Sequence, residues 1–345
     1  LNVYNVANGQ TIAIKTGEPK EQYLTNIAWS PDEKSIYIAV LNREQNHLKL
    51  NKYSTTTGNF IATLFEEKDE QYVEPSKPIE FIGNDSTQFI WNSRRDGWNH
   101  IYLYKTDGTL LKQLTKGEWE VTSVVKNDVK SGILYFTATK ESPIESHLYA
   151  LNIKKGDIVK LTSGEGTHYP RVSIDGKYFV DFYSSITIPN KVDLYSTSGK
   201  IVKNILTASN PYYGYEVPLP ELVNLKADDG TTLYGRVIKP INFDPARKYP
   251  VVVYVYGGPH SQLVTNSWMG GSRLWESYMA NKGFILFTLD NRGTSNRGAD
   301  FEQAIHRNLG SIEVSDQLAG LKYLKSLSYV DSERIGVHGW SYGGF

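Results

Sequence analysis

A strand-and-turn unit recurs through the first two hundred residues, and a repeat of this period limits the fold more than any single residue does. A polar turn followed by an alternating strand occurs at Asn46-His47-Leu48-Lys49-Leu50-Asn51, Asn99-His100-Ile101-Tyr102-Leu103-Tyr104, Ser146-His147-Leu148-Tyr149-Ala150-Leu151 and Lys191-Val192-Asp193-Leu194-Tyr195, at intervals of about 53, 47 and 44 residues. Between the copies lies a pair of short strands around a tight turn: Ile27 to Ile38 across Ser30-Pro31-Asp32, Ile79 to Trp91 across Gly83-Asn84-Asp85, Val121 to Phe136, and Val172 to Phe179 across Asp175-Gly176. Alternation with period two and enrichment in β-branched and aromatic residues make this region all-β. Four strands per roughly 40–50 residues is the signature of a β-propeller blade. A blade alone has unpaired edges, so it needs neighbours, and ring closure takes four to eight copies. The sequence supplies about four. Leu1 to Val6 aligns with the outer strand at Leu48 to Tyr53, so the chain is expected to begin inside a blade, with more blades upstream. A meander or sandwich of unrelated strands is the alternative, because the copies share few identities. His47, His100 and His147 fall at equivalent places on different repeats, which suits a structural role better than a metal site.

The chain has 345 residues, more than one average domain, and two are expected. Lys+Arg and Asp+Glu are both 37, so no global field exists to hold nucleic acid. Cysteine is absent, which removes disulfides, thiolate zinc sites and cysteine nucleophiles and leaves the compartment open. No window approaches the roughly 20 apolar residues of a membrane helix. With neither an initiator Met nor a targeting segment, the chain reads as a piece of a longer protein.

The pattern changes after the Pro/Tyr/Gly-rich connector Pro211 to Pro220, which places a partial propeller in residues 1–215 and a second domain in 216–345. Strands now alternate with helices. Thr232 to Ile238 reads as a strand, and Tyr249 to Tyr256 and Phe284 to Leu289 as strands buried on both faces. Trp275 to Asn281 reads as a short helix. Val314, Leu318, Leu321 and Leu324 share one face of a helix opened by the acids Glu313 and Asp316, and Arg334 to His338 is the last strand. Alternating β and α implies a mostly parallel, doubly wound sheet.

After that strand comes Gly339-Trp340-Ser341-Tyr342-Gly343-Gly344-Phe345. The pentapeptide G-x-S-x-G alone is moderate evidence, but a preceding strand and a βα domain supply the context of a nucleophile elbow, with Ser341 Oγ on a strained turn. The Tyr342 N–H would then face the developing oxyanion. The second donor in such folds comes from a loop after an earlier strand, and Val255-Tyr256-Gly257-Gly258-Pro259-His260-Ser261-Gln262 is the candidate, with the Tyr256 hydroxyl aimed at the site.

Tyr256-Gly-Gly-Pro, Asp290-Asn-Arg292-Gly293, Leu309-Gly310 with Asp316 and Gln317, and Gly339-Trp340-Ser341-Tyr342-Gly343-Gly344, behind Ser93-Arg94-Arg95-Asp96-Gly97-Trp98-Asn99-His100-Ile101-Tyr102-Leu103-Tyr104, resemble the prolyl oligopeptidase family of serine peptidases, in its dipeptidyl peptidase IV branch. The resemblance implies a propeller-capped α/β-hydrolase with Ser341 as nucleophile and Tyr256 and Tyr342 as oxyanion donors, needing no cofactor or metal. It also implies short peptide substrates with a free N-terminus, cleaved after Pro or Ala, a periplasmic or exported setting and a homodimer.

In this fold the acid and then the base follow the nucleophile in sequence, so the triad Asp and His are expected outside these residues. Among local histidines, His338 sits on the buried last strand and projects from the sheet, His306 is near a helix start, and only His260 is placed close to a substrate. A structural role is the expectation for all three. Glu66-Glu67 reads as a solvated inter-strand turn rather than the family's amine-binding glutamates. Two other readings stay open: a non-catalytic propeller interaction module, and an esterase or acylaminoacyl peptidase on the same fold.

Overall fold

In the computed structural model, which describes residues 1–83 and 87–345, every element before residue 208 is a strand. Asn84 and Asp85, expected in a turn, lie outside the described residues. The chain divides into two compact units, one of Leu1–Val121, Asn127–Leu134 and Asn152–Asp157, the other of Thr122–Lys126, Tyr135–Leu151 and Ile158–Phe345.

In the first unit β1 (Asn2–Tyr4) and β2 (Thr11–Ala13) form an antiparallel pair. β3 (Gln22–Trp29), β4 (Ser35–Asn42), β5 (His47–Ser54) and β6 (Phe60–Lys68) follow as an antiparallel sheet in chain order. β7 (Glu80–Phe81), β8 (Gln88–Ser93), β9 (His100–Lys105) and β10 (Leu110–Gln113) make a second. The residues of a third sheet, β11 (Val121–Asp128), β12 (Ile133–Ala138), β13 (His147–Asn152) and β14 (Ile158–Lys160), are shared between the units. β15 (Thr167–Val172), β16 (Tyr178–Ser185), β17 (Ile188–Ser196) and β18 (Ile201–Thr207) form a fourth within the second unit. Among the described residues the repeat therefore yields four sheets of four strands each.

The repeated residues have repeated jobs. Ser30 donates to Asp32 at 2.6 Å and Ser173 to Asp175 at 2.7 Å, closing equivalent turns whose next amides, Lys34 and Lys177, donate to the same aspartates. His100 and His147 are fully buried, and each contacts a threonine hydroxyl fifteen residues on, Thr115 and Thr162; the amide after each histidine donates to that same oxygen. His47 instead meets Glu66 at 2.7 Å.

Two expectations are corrected. The strand at Leu48 to Tyr53 is not an outer one: β5 is paired on both sides, and β6 is the edge. Glu66 and Glu67 are not in a turn. The β5–β6 ladder runs on to His47 opposite Lys68, which sets Lys49 against Glu66, and Glu67 accepts from the Trp91 indole at 2.9 Å and binds Arg95. Opposite charges facing each other across the ladder let so polar a run remain strand.

The last sheet has the order β19 (Glu221–Lys226), β20 (Thr232–Ile238), β22 (Ile285–Asp290), β21 (Tyr249–Val255), β23 (Val330–Gly339). It is mixed rather than mostly parallel, since β19–β20 and β20–β22 are antiparallel, and β22–β21 and β21–β23 parallel. The Ala227–Thr231 turn is too short for the crossover that a parallel β19–β20 pair would require. The sheet is covered on both faces. Ala280 of α1 (Leu274–Asn281) packs with Leu286, while Ala319 and Leu324 of α3 (Ile312–Ser326) pack with Phe287; consecutive strand residues point to opposite faces. A five-residue helix, α2 (Ala299–Gln303), lies between them in sequence.

Val314 and Leu318 of the shared helix face are 54% and 56% exposed, and Leu324 is fully buried. α3 approaches the sheet at Gly320, where a side chain would stand 3.0 Å from Phe287 and Leu289. Val314, Leu318 and Leu321 line a cavity of about 780 Å³ together with Ile335, Val337 and Phe345. Within the described residues, β23 pairs with β21 and is exposed along much of its length, with Val337 73% exposed, where the sequence predicts a buried strand.

Candidate functional site

β23 delivers the chain to the carboxyl end of the parallel strands, where open α/β sheets place their ligands. Trp340 is extended, with φ −134°, and Ser341 then turns to φ +56° at the start of a 3₁₀ turn, Ser341–Gly344. A non-glycine residue in the left-handed region costs about 1–2 kcal/mol, and Ser341 is held there by what surrounds it. Gly343 N–H donates to Trp340 O at 3.0 Å and Phe345 N–H to Tyr342 O at 3.0 Å. A Cβ on Gly339 would lie 1.9 Å from Gly343 O, and one on Gly343 would lie 2.0 Å from Val255 O. Both glycines are thus required for close approach rather than for unusual dihedrals: the turn folds onto its own strand and seats on the end of β21. The Ser341 side is exposed.

The Tyr256 loop leaves β21 from the same place. Gly257, at φ +68°, accepts from Asn291 Nδ2 at 3.2 Å, and Gln317 Nε2 donates to Asn291 Oδ1 at 3.1 Å. His260 N–H donates to Gly293 O at 2.8 Å. Gly258 runs between two aromatic rings: a Cβ there would stand 2.7 Å from the Tyr256 ring and 3.3 Å from Tyr342. The ring centroids of Tyr256 and Tyr342 are 6.4 Å apart, so residues far apart in sequence converge beside Ser341.

Supporting residues explain the other motifs. Arg292 makes a two-pronged ion pair with Asp316, at 2.7–3.2 Å, and its own N–H donates to Asp316 Oδ2 at 2.7 Å. This fixes the Asp290–Gly293 segment against α3. Asp290 accepts the N–H groups of Leu263 at 2.9 and 3.2 Å and of Val264 at 2.9 Å. Burial pushes its carboxyl up to about 6, against the pull of those amides. Arg236, buried and paired with Glu276 through two 3.0 Å bonds, also donates to the backbone of Leu263 and Gly270.

The histidines are engaged elsewhere. His260, at φ +57°, binds Glu302, whose side chain is 1% exposed. His338 lies against Tyr254 and Trp275, with centroids 5.9 and 5.1 Å away. His306 N–H caps Gln303 O at 2.8 Å. None of these engagements is with Ser341.

Sequence reasoning missed Glu313 as a partner of the elbow. The Tyr342 hydroxyl donates to Glu313 Oε1 at 2.6 Å, and Gly310 N–H donates to Glu313 Oε2 at 3.0 Å. Burial, and then this bond to a carboxylate, raise the phenol above its ordinary value. An acid in the first turn of α3 was visible in the sequence, but its partner lies 29 residues away.

The comparisons agree with this geometry. Residues 1–190 match the family model for the dipeptidyl peptidase IV (DPP IV) N-terminal region, and residues 272–345 match that for the prolyl oligopeptidase family. Dipeptidyl peptidase 4 of Trichophyton tonsurans is 31% identical over all of this chain and 46% of its own length, and dipeptidyl peptidase 8 of Mus musculus is 31% identical over 94% of this chain and 43% of its own. The chain thus spans about half the length of the curated relatives it matches. Among solved structures, dipeptidyl peptidase 4 of Porphyromonas gingivalis superposes with a TM-score of 0.91 at 31% identity, covering 99% of this chain and 48% of that one. A Bacteroides ovatus protein assigned as a dipeptidyl aminopeptidase IV gives 0.94 at 46% identity, over 99% and 51%. Four-stranded sheets in series, a hydrolase-type sheet and a glycine-flanked Ser341 turn, matched along the whole chain, make it a member of the dipeptidyl peptidase IV branch of the prolyl oligopeptidase family.

Proposed function

We propose that this chain is part of a serine exopeptidase that releases di- or tripeptides from free N-termini after Pro or Ala, with Ser341 as the nucleophile. The observation that carries the reading is the exposed Ser341 at φ +56° between two glycines that no larger residue could replace. Ser341 Oγ attacks the scissile carbonyl, its proton passing to a histidine base; the C–N bond then breaks as that histidine returns the proton to the leaving amine, and water hydrolyses the acyl-enzyme to release the short peptide. The Tyr256 hydroxyl and the Tyr342 N–H receive the oxyanion, as the convergence of their loops supports. The base and its acid are assigned to sequence outside residues 1–345, since in this fold both follow the nucleophile in chain order. The four antiparallel sheets are read as blades of a propeller, and a homodimer in a periplasmic or exported setting completes the proposal.

The test uses the full-length protein. A fluorophosphonate labels Ser341, and Ser341→Ala abolishes turnover of a Xaa-Pro anilide. Retained hydrolysis by that variant, or no hydrolysis of the Xaa-Pro anilide by a protein that turns over acyl esters, would overturn the reading.

A further inference from the structure

We infer that Glu313 is a positioning residue for the oxyanion site: its carboxylate holds the Tyr342 phenol and so aims the Tyr342 backbone N–H. This rests on the reading of Ser341 as the nucleophile. Tyr342 ties the elbow to the scaffold through its side chain. Its hydroxyl donates to Glu313 Oε1 at 2.6 Å, within the range of charge-assisted bonds, which are roughly twice as strong as neutral ones. The other oxygen, Oε2, accepts the Gly310 N–H at 3.0 Å, which leaves the carboxylate little freedom to rotate.

Glu313 is 6% exposed and is the second residue of α3, where the positive end of the helix favours its charge. α3 is fixed to the sheet through Ala319 and Leu324, and through Asp316 to Arg292. The phenol is therefore anchored to the rigid scaffold rather than to another loop. At the far side the Tyr342 ring abuts Gly258, across which Tyr256 stands. A tyrosine held at its tip by α3 and packed against Gly258 has its side-chain torsions restricted, which couples the direction of its N–H to the anchored phenol. The raised pKa of the phenol keeps it a donor across neutral pH.

The experiment compares Glu313→Ala, Glu313→Gln, Tyr342→Phe and the Glu313→Ala/Tyr342→Phe double variant in the full-length protein, measuring kcat, KM and the fluorophosphonate labelling rate on a Xaa-Pro anilide background. A misplacement approaching 1 Å costs up to about 10²-fold, so Glu313→Ala and Tyr342→Phe are each expected to lower kcat and labelling at least about tenfold, with KM little changed. The double variant is expected to be no worse than either single one, and Glu313→Gln, which keeps one acceptor oxygen for the phenol but sets an NH2 against the Gly310 N–H, to regain part of the rate lost in Glu313→Ala. Additive losses, or a Glu313→Ala protein with a lower Tm but normal kcat and labelling, would overturn the inference. If Glu313→Ala does not fold, Tyr342→Phe decides alone: unchanged kcat and labelling overturn it. Ser341→Ala separates the two levels, since its inactivity beside a fully active Glu313→Ala sinks the positioning role only, whereas its activity sinks the nucleophile reading.

Discussion

Replacing Gly343 by alanine tests the elbow most directly. The added Cβ would sit 2.0 Å from Val255 O, where a relaxed carbon–oxygen contact needs about 3.3 Å, so one of the two backbones must retreat by more than about 1 Å. Neither is a flexible side-chain end. Val255 is paired with Gly339 in the sheet, and Gly343 N–H is bonded within the turn, so the displacement falls on the residues between them, Ser341 and Tyr342. Overpacking of this kind costs about 1–3 kcal/mol of stability, and a shift of about 1 Å in a reacting group costs about 10²-fold in rate. The expected result in the full-length protein is a loss of at least about 10²-fold in kcat/KM and in fluorophosphonate labelling, with Tm lowered by a few degrees. Wild-type labelling by Gly343→Ala would refute the steric reasoning, because the oxygen clash cannot coexist with an undisturbed Ser341.

Three further outcomes follow from other parts of the structure. Tyr256→Phe removes one proposed oxyanion donor and should lower kcat by about 10²–10³ with little change in KM, read by anilide hydrolysis. Thr115→Val leaves His100 Nδ1 and the Ile101 amide without their buried partner, which should cost about 1–3 kcal/mol in denaturant unfolding while Ser341 labelling stays normal. Asp290 has its folded-state carboxyl raised from 3.8 to about 6 by burial, so its contribution to stability is fully present below about pH 4 and is lost as the pH rises through 6, a swing on the order of 3 kcal/mol. The Tm of the unmodified protein minus that of Asp290→Asn should therefore increase as the pH is lowered from 7 to 4, and a difference independent of pH would contradict the assignment.

What the sequence disclosed was whatever is local. The four-stranded sheets follow from alternation and from turns such as Ser30 to Asp32, whose hydrogen bonds close within five residues. The elbow follows from Gly339 and Gly343 flanking Ser341, because the clash each would suffer is with backbone that any strand–turn of this type brings close. The readings that failed depended on partners brought from elsewhere in the chain or, for the mixed sheet, on the short Ala227–Thr231 turn. Glu66 and Glu67 look like a turn until β5 supplies Lys49, and β8 supplies Trp91 as the partner of Glu67.

The same division runs through the site itself. A nucleophile can be recognised by its flanking glycines, but the apparatus that keeps it strained is assembled from distant positions: Asn291 on Gly257, Gln317 on Asn291, Asp316 on Arg292 and Glu313 on Tyr342. Each of these holds a loop by a side chain projecting from a strand end or from α3, and α3 supplies three of the four. A left-handed serine stores about 1–2 kcal/mol, a cost that a turn of four residues with exposed flanks cannot sustain by itself. The scaffold must supply the difference, and the α3 contacts are where it does so. Gly310 shares the Glu313 carboxylate with Tyr342, whereas Asp316 and Gln317 hold the Arg292 and Asn291 segment that carries the Tyr256 loop.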